Sequence, residues 1–127
     1  MDNVTHSREE CSTMISSVRD SLYVLGGKWK LPIISALANG PLRFNELQKM
    51  LGDITPKILS KELKEMELNV LVVRTVYATS PVTVEYKLTD YSRSLNKVII
   101  ELSIWGRQHR KRLKDCAKVR RTAAQKD

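Results

Sequence analysis

The chain of 127 residues has no apolar run near the roughly 18 residues that a membrane-spanning helix needs. Its start, Met1-Asp2-Asn3-Val4-Thr5, lacks the apolar core of a signal peptide, so a cytoplasmic location is the expectation. Cysteine is scarce. Cys11 and Cys116 are too few and too far apart for a disulfide framework, and no CxxC or HxxxH spacing offers a zinc site. His6 and His109 stand alone and are expected at the surface. Aromatics make up only 6%, so aliphatic side chains must supply most of the core, and a hydrophobic fraction of 42% is enough for one. Gly26-Gly27-Lys28 lacks the leading strand and the spacing of a phosphate-binding loop, and no nucleophile–base pairing is apparent. These absences exclude the common enzyme classes, and neither a cofactor nor a metal is expected.

Acidic residues are also in deficit. Fourteen Asp and Glu face 22 Lys and Arg, for a formal net charge of +8, which favours a polyanionic partner. Much of the excess lies between Arg107 and Arg121. A basic run near a terminus is often no more than a solvated tail.

More specific information lies in residues 41–89. Thr55-Pro56 reads as a helix start: Thr55 can cap free N–H groups, and Pro56 suits the first helical position. At about 100° per residue from Lys57, Lys61 falls near 40° and Lys64 near 340°, with Ser60 beside them. Ile58, Leu59, Leu63 and Met66 fall on the other side. The helix should bury one face and offer a basic one, as a helix entering the major groove does. A solvated amphipathic surface helix has the same pattern, so the neighbouring segments decide.

Phe44, Leu47 and Leu51 repeat at the spacing of one buried stripe, bounded by Gly40-Pro41 and Gly52. Only Gly52-Asp53-Ile54 then separates two helices, which makes a helix-turn-helix. Leu71–Tyr77 and Val82–Leu88 are rich in β-branched and aromatic residues, with Ala78-Thr79-Ser80-Pro81 as the turn between them. A helix-turn-helix followed by a β-hairpin is a winged helix. The predicted fold is mainly α with a small antiparallel β-hairpin.

Upstream, Val18, Leu22 and Leu25 place a helix over Ser17–Leu25, broken by Gly26-Gly27. A second runs from Trp29 to Ala38, with Trp29, Ile33 and Leu37 on its core face and Pro32 in its first turn. Downstream, Thr89 or Ser92 caps a last helix over about 92–114. Leu95, Val98, Leu102, Trp105, His109 and Arg112 follow a 3-4 spacing, and Ile99, Ile100 and Ile104 broaden its apolar surface. One small core does not need so much surface, so this helix reads as half core and half oligomer interface. The domain plan is an N-terminal arm over 1–16, a winged-helix domain over 17–114 and a basic, disordered tail over 115–127.

Five segments in this order carry a family resemblance: Gly26-Gly27-Lys28-Trp29, Arg43-Phe44-Asn45-Glu46-Leu47, Ile54-Thr55-Pro56-Lys57-Ile58-Leu59-Ser60, Val84-Glu85-Tyr86-Lys87-Leu88-Thr89 and Trp105-Gly106. Each is weak alone, but together they resemble the HxlR family, a branch of the MarR-like winged-helix transcription regulators. The resemblance implies a homodimer on operator DNA. It also implies that a lone N-terminal cysteine, here Cys11, senses oxidants or electrophiles in some members. Two residues depart from the pattern: Pro32 replaces an ordinary helix former, and Val70 stands where Gly is frequent.

The expected DNA contacts are Arg43, Thr55, Lys57, Ser60, Lys61 and Lys64, with Arg74, Thr79 and Thr83 on the wing. The expected dimer residues are Leu95, Val98, Ile99, Leu102 and Trp105. Cys11 is the candidate redox sensor, a role that needs a solvent-accessible thiolate. The expected partners are a pseudo-palindromic duplex and a second copy of the chain. The competing reading is a winged helix that binds RNA or protein without sensing an effector.

Overall fold

The computed structural model describes residues 7–125. The elements are α1 (Arg8–Leu25), α2 (Lys30–Leu37), β1 (Leu42–Arg43), α3 (Phe44–Leu51), α4 (Pro56–Leu68), β2 (Val72–Tyr77), β3 (Thr83–Leu88), a 3-10 turn (Tyr91–Leu95) and α5 (Asn96–Gln125). The chain divides into two compact units between Ser92 and Arg93.

In the first unit the core is aliphatic, as the shortage of aromatics requires. Ile33, Ile34 and Leu37 of α2, Leu47 of α3, Leu59, Leu63 and Met66 of α4, and Leu71 and Val72 at the start of the ribbon are buried, as is Ile54 in the turn. Fully burying each such side chain contributes about 1.5–3 kcal/mol. The helix-turn-helix closes where Gly52 adopts φ 80°, a conformation open to glycine at little cost. Gln48 Nε2 then donates to the Ile54 carbonyl at 3.3 Å, tying the turn to α3.

The sheet has three strands in the order β1-β3-β2, all antiparallel. Tyr77 faces Thr83 at the open end of the ribbon and Val72 faces Leu88 at its base. The third strand, β1, was not expected. It has two residues, Leu42 and Arg43, opposite Tyr86 and Glu85, and exists only through that tertiary pairing.

Four further points refine or correct the expectations. First, α1 begins at Arg8, so residues 8–16 of the expected arm are helical. Ser7 is its N-cap: Ser7 Oγ accepts from Glu10 N–H at 3.2 Å, and Glu10 Oε2 accepts from Ser7 N–H at 3.0 Å. The rest of the arm, 1–6, lies outside the described residues, and so does His6. Second, of the three residues whose spacing marks this helix, Leu25 is buried, whereas Val18 and Leu22 are exposed. Third, Trp29 is half-buried at the α2 N-cap, with Lys28 Nζ 4.9 Å from its ring centroid. Fourth, Ile58 is 40% exposed, because its place at the edge of the buried arc takes it out of the core.

Val70 is a strained position. It has φ 61°, which for a β-branched side chain is a steric outlier. The neighbouring bonds hold it there: Val70 N–H donates to Glu67 O at 3.1 Å, and Thr89 Oγ1 donates to Val70 O at 2.7 Å. The side chain is 61% exposed, so little burial offsets the strain. Val70→Gly is expected to raise unfolding stability by about 1 kcal/mol, read as a higher denaturant midpoint at unchanged slope. A lower midpoint would refute strain at this residue.

The second unit is helical. Thr89 Oγ1 accepts from Ser92 N–H at 3.2 Å, which caps the 3-10 turn and not the long helix, since α5 starts only at Asn96. The tail expected to be disordered from residue 115 is helical as far as Gln125, where α5 ends. Ala117, Lys118, Arg120 and Arg121 are good helix formers, no Pro or Gly follows Gly106, and Thr122 Oγ1 donates to Lys118 O at 2.9 Å. Residues 126 and 127 lie outside the described residues. Among the described residues no helix is long and apolar enough to cross a membrane.

Candidate nucleic-acid interface

Thr55 Oγ1 accepts from Ile58 N–H at 3.2 Å, which caps α4 and leaves the hydroxyl proton free to donate outward. Pro56 occupies the first turn. With Leu59, Leu63 and Met66 buried, at 0%, 1% and 0% exposure, the rotation of the helix is fixed. Lys57, Ser60, Lys61 and Lys64 are then all exposed on the opposite face. The expected face of α4 is therefore present, with Ile58 at its border.

An ion-pair clamp sets the same rotation from the other side. Lys30 Nζ of α2 lies 2.8 Å from Glu62 Oε2 and 2.8 Å from Glu65 Oε2. Burial alone would lower the Lys30 pKa, but the hydrogen bonds and charges of Glu62 and Glu65 outweigh it and raise the pKa above 10.5. The Lys30 hydrogen bond and charge hold the Glu65 carboxyl below its ordinary 4.5, with a lesser contribution from Lys61. Two carboxylates near the basic stripe are thus engaged toward α2. The sequence suggests only that they flank the stripe; the partner 32 and 35 positions upstream is visible only in the fold.

The clamp has a pH signature. A lowered carboxyl pKa contributes stability above about 4.5 that is lost as pH falls through the folded-state value. The raised Lys30 pKa acts only at the alkaline end, where its contribution is lost above 10.5. Between about pH 6 and 3, wild type should therefore lose more denaturant midpoint than Glu65→Gln. Parallel losses would detach the clamp from acid stability.

The other expected contacts are placed as follows. Arg43 is exposed between β1 and α3, where its backbone N–H donates to Glu46 Oε1 at 3.0 Å and leaves the guanidinium for other partners. Arg74 is exposed on β2. Thr79 is exposed in the wing turn, and its Oγ1 donates to Pro81 O at 2.8 Å and lies 3.0 Å from Thr83 Oγ1. Thr83 is half-buried. The wing threonines therefore brace the tip of the ribbon.

In the second unit Val98 is 45% exposed, Leu102 48% and Trp105 63%, whereas Leu95 and Ile99 are half-buried. The Trp105 and His109 rings stack at 4.9 Å. Cys11 and Cys116 are exposed thiols, Cys11 one turn into α1. Among the described residues no cluster of three or more His, Cys, Asp or Glu is placed to hold a metal.

A three-stranded sheet whose ribbon follows a helix-turn-helix with a basic second helix defines a winged helix-turn-helix protein. The family model described as HxlR-like helix-turn-helix matches residues 24–114, and the chain belongs to that family of transcription regulators. It is 41% identical over 93 residues to the HTH-type transcriptional regulator YtcD of Bacillus subtilis (strain 168), covering 73% of this chain and 74% of YtcD. Among solved structures, it is similar to the redox regulator HypR in its reduced form, with TM-score 0.73 and 35% identity over 78% of this chain and 98% of HypR. It is similar too to the reduced form of the transcriptional regulator YodB from B. subtilis, with TM-score 0.61 and 33% identity over 82% of this chain and 94% of YodB.

Proposed function

We propose that the chain is a dimeric, sequence-specific DNA-binding transcription regulator that places α4 in the major groove. The observation that carries this is the two-sided build of α4: buried Leu59, Leu63 and Met66 fix the helix while Lys57, Ser60, Lys61 and Lys64 stay open. Lysine can donate to guanine O6 and N7, and the N-terminus of α4 suits a phosphate. Arg43 and Arg74 are exposed and add positive charge to the same unit. The test is a mobility shift on the DNA next to the chain's own gene with excess random DNA present. A retarded complex at nanomolar protein supports the reading, and loss of the complex to random DNA contradicts it.

Dimerisation is supported by apolar surface that a single chain leaves uncovered. On α5 this is Val98, Leu102 and Trp105; on α1 it is Met14, Ile15, Val18 and Leu22. Sensing through Cys11 is supported by its exposure and by relatives known in two redox states, namely HypR oxidised and reduced and YodB reduced and diamide-treated. Treatment with a quinone or hypochlorite is expected to change the operator affinity of wild type at least severalfold and leave Cys11→Ser unchanged. An equal response of both proteins removes Cys11 from the role.

A further inference from the structure

Past the residues of the proposed dimer surface, the long helix α5 carries a basic face. At about 100° per residue from Arg107, Arg110 lies near 300°, Lys111 near 40°, Lys114 near 340°, Lys118 near 20° and Arg121 near 320°. Six cations thus share one arc of about 100° on the helix. All six are exposed. From Arg107 to Arg121 the stripe runs about 21 Å at 1.5 Å per residue, equivalent to about six base-pair steps of a duplex strand. On the same scale Trp105, His109, Cys116 and Ala123 lie between about 160° and 200°, on the opposite side. Pairing through the Trp105 side would therefore leave the stripe facing solvent.

The stripe has no ion-pair partner among the described residues. Arg107–Arg110, Arg107–Lys111, Arg110–Lys114, Lys111–Lys114, Lys114–Lys118 and Lys118–Arg121 are like-charged neighbours three or four residues apart. Each such pair destabilises a helix by a few tenths of a kcal/mol, a cost that a polyanion would relieve. Lys118 and Arg121 lie beyond residue 114, where the match to the family model ends.

We propose that this stripe is a second, sequence-independent contact for duplex DNA, gripping phosphates outside those read by α4. This rests on the DNA-binding reading above. Phosphate contacts supply affinity and salt dependence but no base discrimination, so the two surfaces leave different signatures.

The experiment compares wild type with the Arg110→Gln/Lys114→Gln/Arg121→Gln triple variant. Glutamine keeps helix propensity, and circular dichroism checks that helicity is retained. Affinity is measured against salt on the fragment next to the chain's own gene and on a shuffled duplex of equal length. The variant is expected to show a log–log salt slope smaller by about 5.4 for the dimer, or about 2.7 per protomer, on both duplexes, at about 0.9 per lost phosphate contact, with the ratio between duplexes unchanged. An unchanged slope on both overturns the proposal. Were wild type to show no preference for the native fragment, the reading of α4 would fall, while a slope change on shuffled DNA would still support the stripe. Binding to phosphatidylserine vesicles that the variant loses, with DNA slopes intact, assigns the stripe to an anionic membrane and overturns the proposal.

Discussion

Replacing Lys61 and Lys64 together by Ala is expected to weaken binding to the native fragment by about a thousandfold, taking each of the four lysines that a dimer loses near 1 kcal/mol, the low end of 1–3 kcal/mol for a base-reading side chain. The fold should survive. Both side chains are exposed, Ala is a better helix former, and surface changes of this kind shift stability by about 0.5 kcal/mol or less. Binding to shuffled DNA should fall less, because only the phosphate part of the contact is lost there. Equal losses on the two duplexes would demote the lysines to general charge. Unchanged affinity on both would remove α4 from the groove.

A loss of comparable size is expected from Leu102→Glu. Leu102 is already 48% exposed in the single chain, so the substitution asks little of the fold. In a dimer it would bury an unpaired charge, which costs several kcal/mol per copy. Sedimentation at micromolar concentration should change from dimer to monomer. Two half-sites are then no longer engaged together, and affinity for the full site should drop by about 10²–10⁴-fold. A variant that stays dimeric would place the interface elsewhere, with the exposed Met14, Ile15, Val18 and Leu22 of α1 next in line.

The parts of the fold legible in the sequence are those governed by local rules. The cap at Thr55, the first-turn Pro56 and the 3.6-residue period of Leu59, Leu63 and Met66 define α4, and a lysine stripe follows from its rotation. Gly52 with its positive φ and the β-branched ribbon are equally local. What escaped notice is mostly nonlocal. The two-residue β1 has no pattern of its own and forms because β3 presents a free edge to Leu42 and Arg43. The Lys30 clamp joins residues 32 and 35 positions apart. Trp29 reads as core by type, yet at an N-cap its ring lies partly in solvent under Lys28.

Two misses were avoidable. Ser7-Arg8-Glu9-Glu10 is a capping-box sequence and marks the true start of α1. The 3-4 spacing that stops being apolar after Trp105 resumes at Cys116, Val119 and Ala123, which signals that α5 extends well past Lys114. A basic composition by itself does not separate a helix from a tail, because charge pattern does not set backbone conformation.

The most direct measurement is a hydroxyl-radical footprint of the wild-type protein on the intergenic DNA beside its gene. Two α4 helices related by a dyad should protect two half-sites of inverted sequence, centred one or two helical turns apart at about 10–10.5 base pairs per turn. Protection that lacks a dyad, or none at concentrations where the protein is dimeric, would contradict a symmetric major-groove reader.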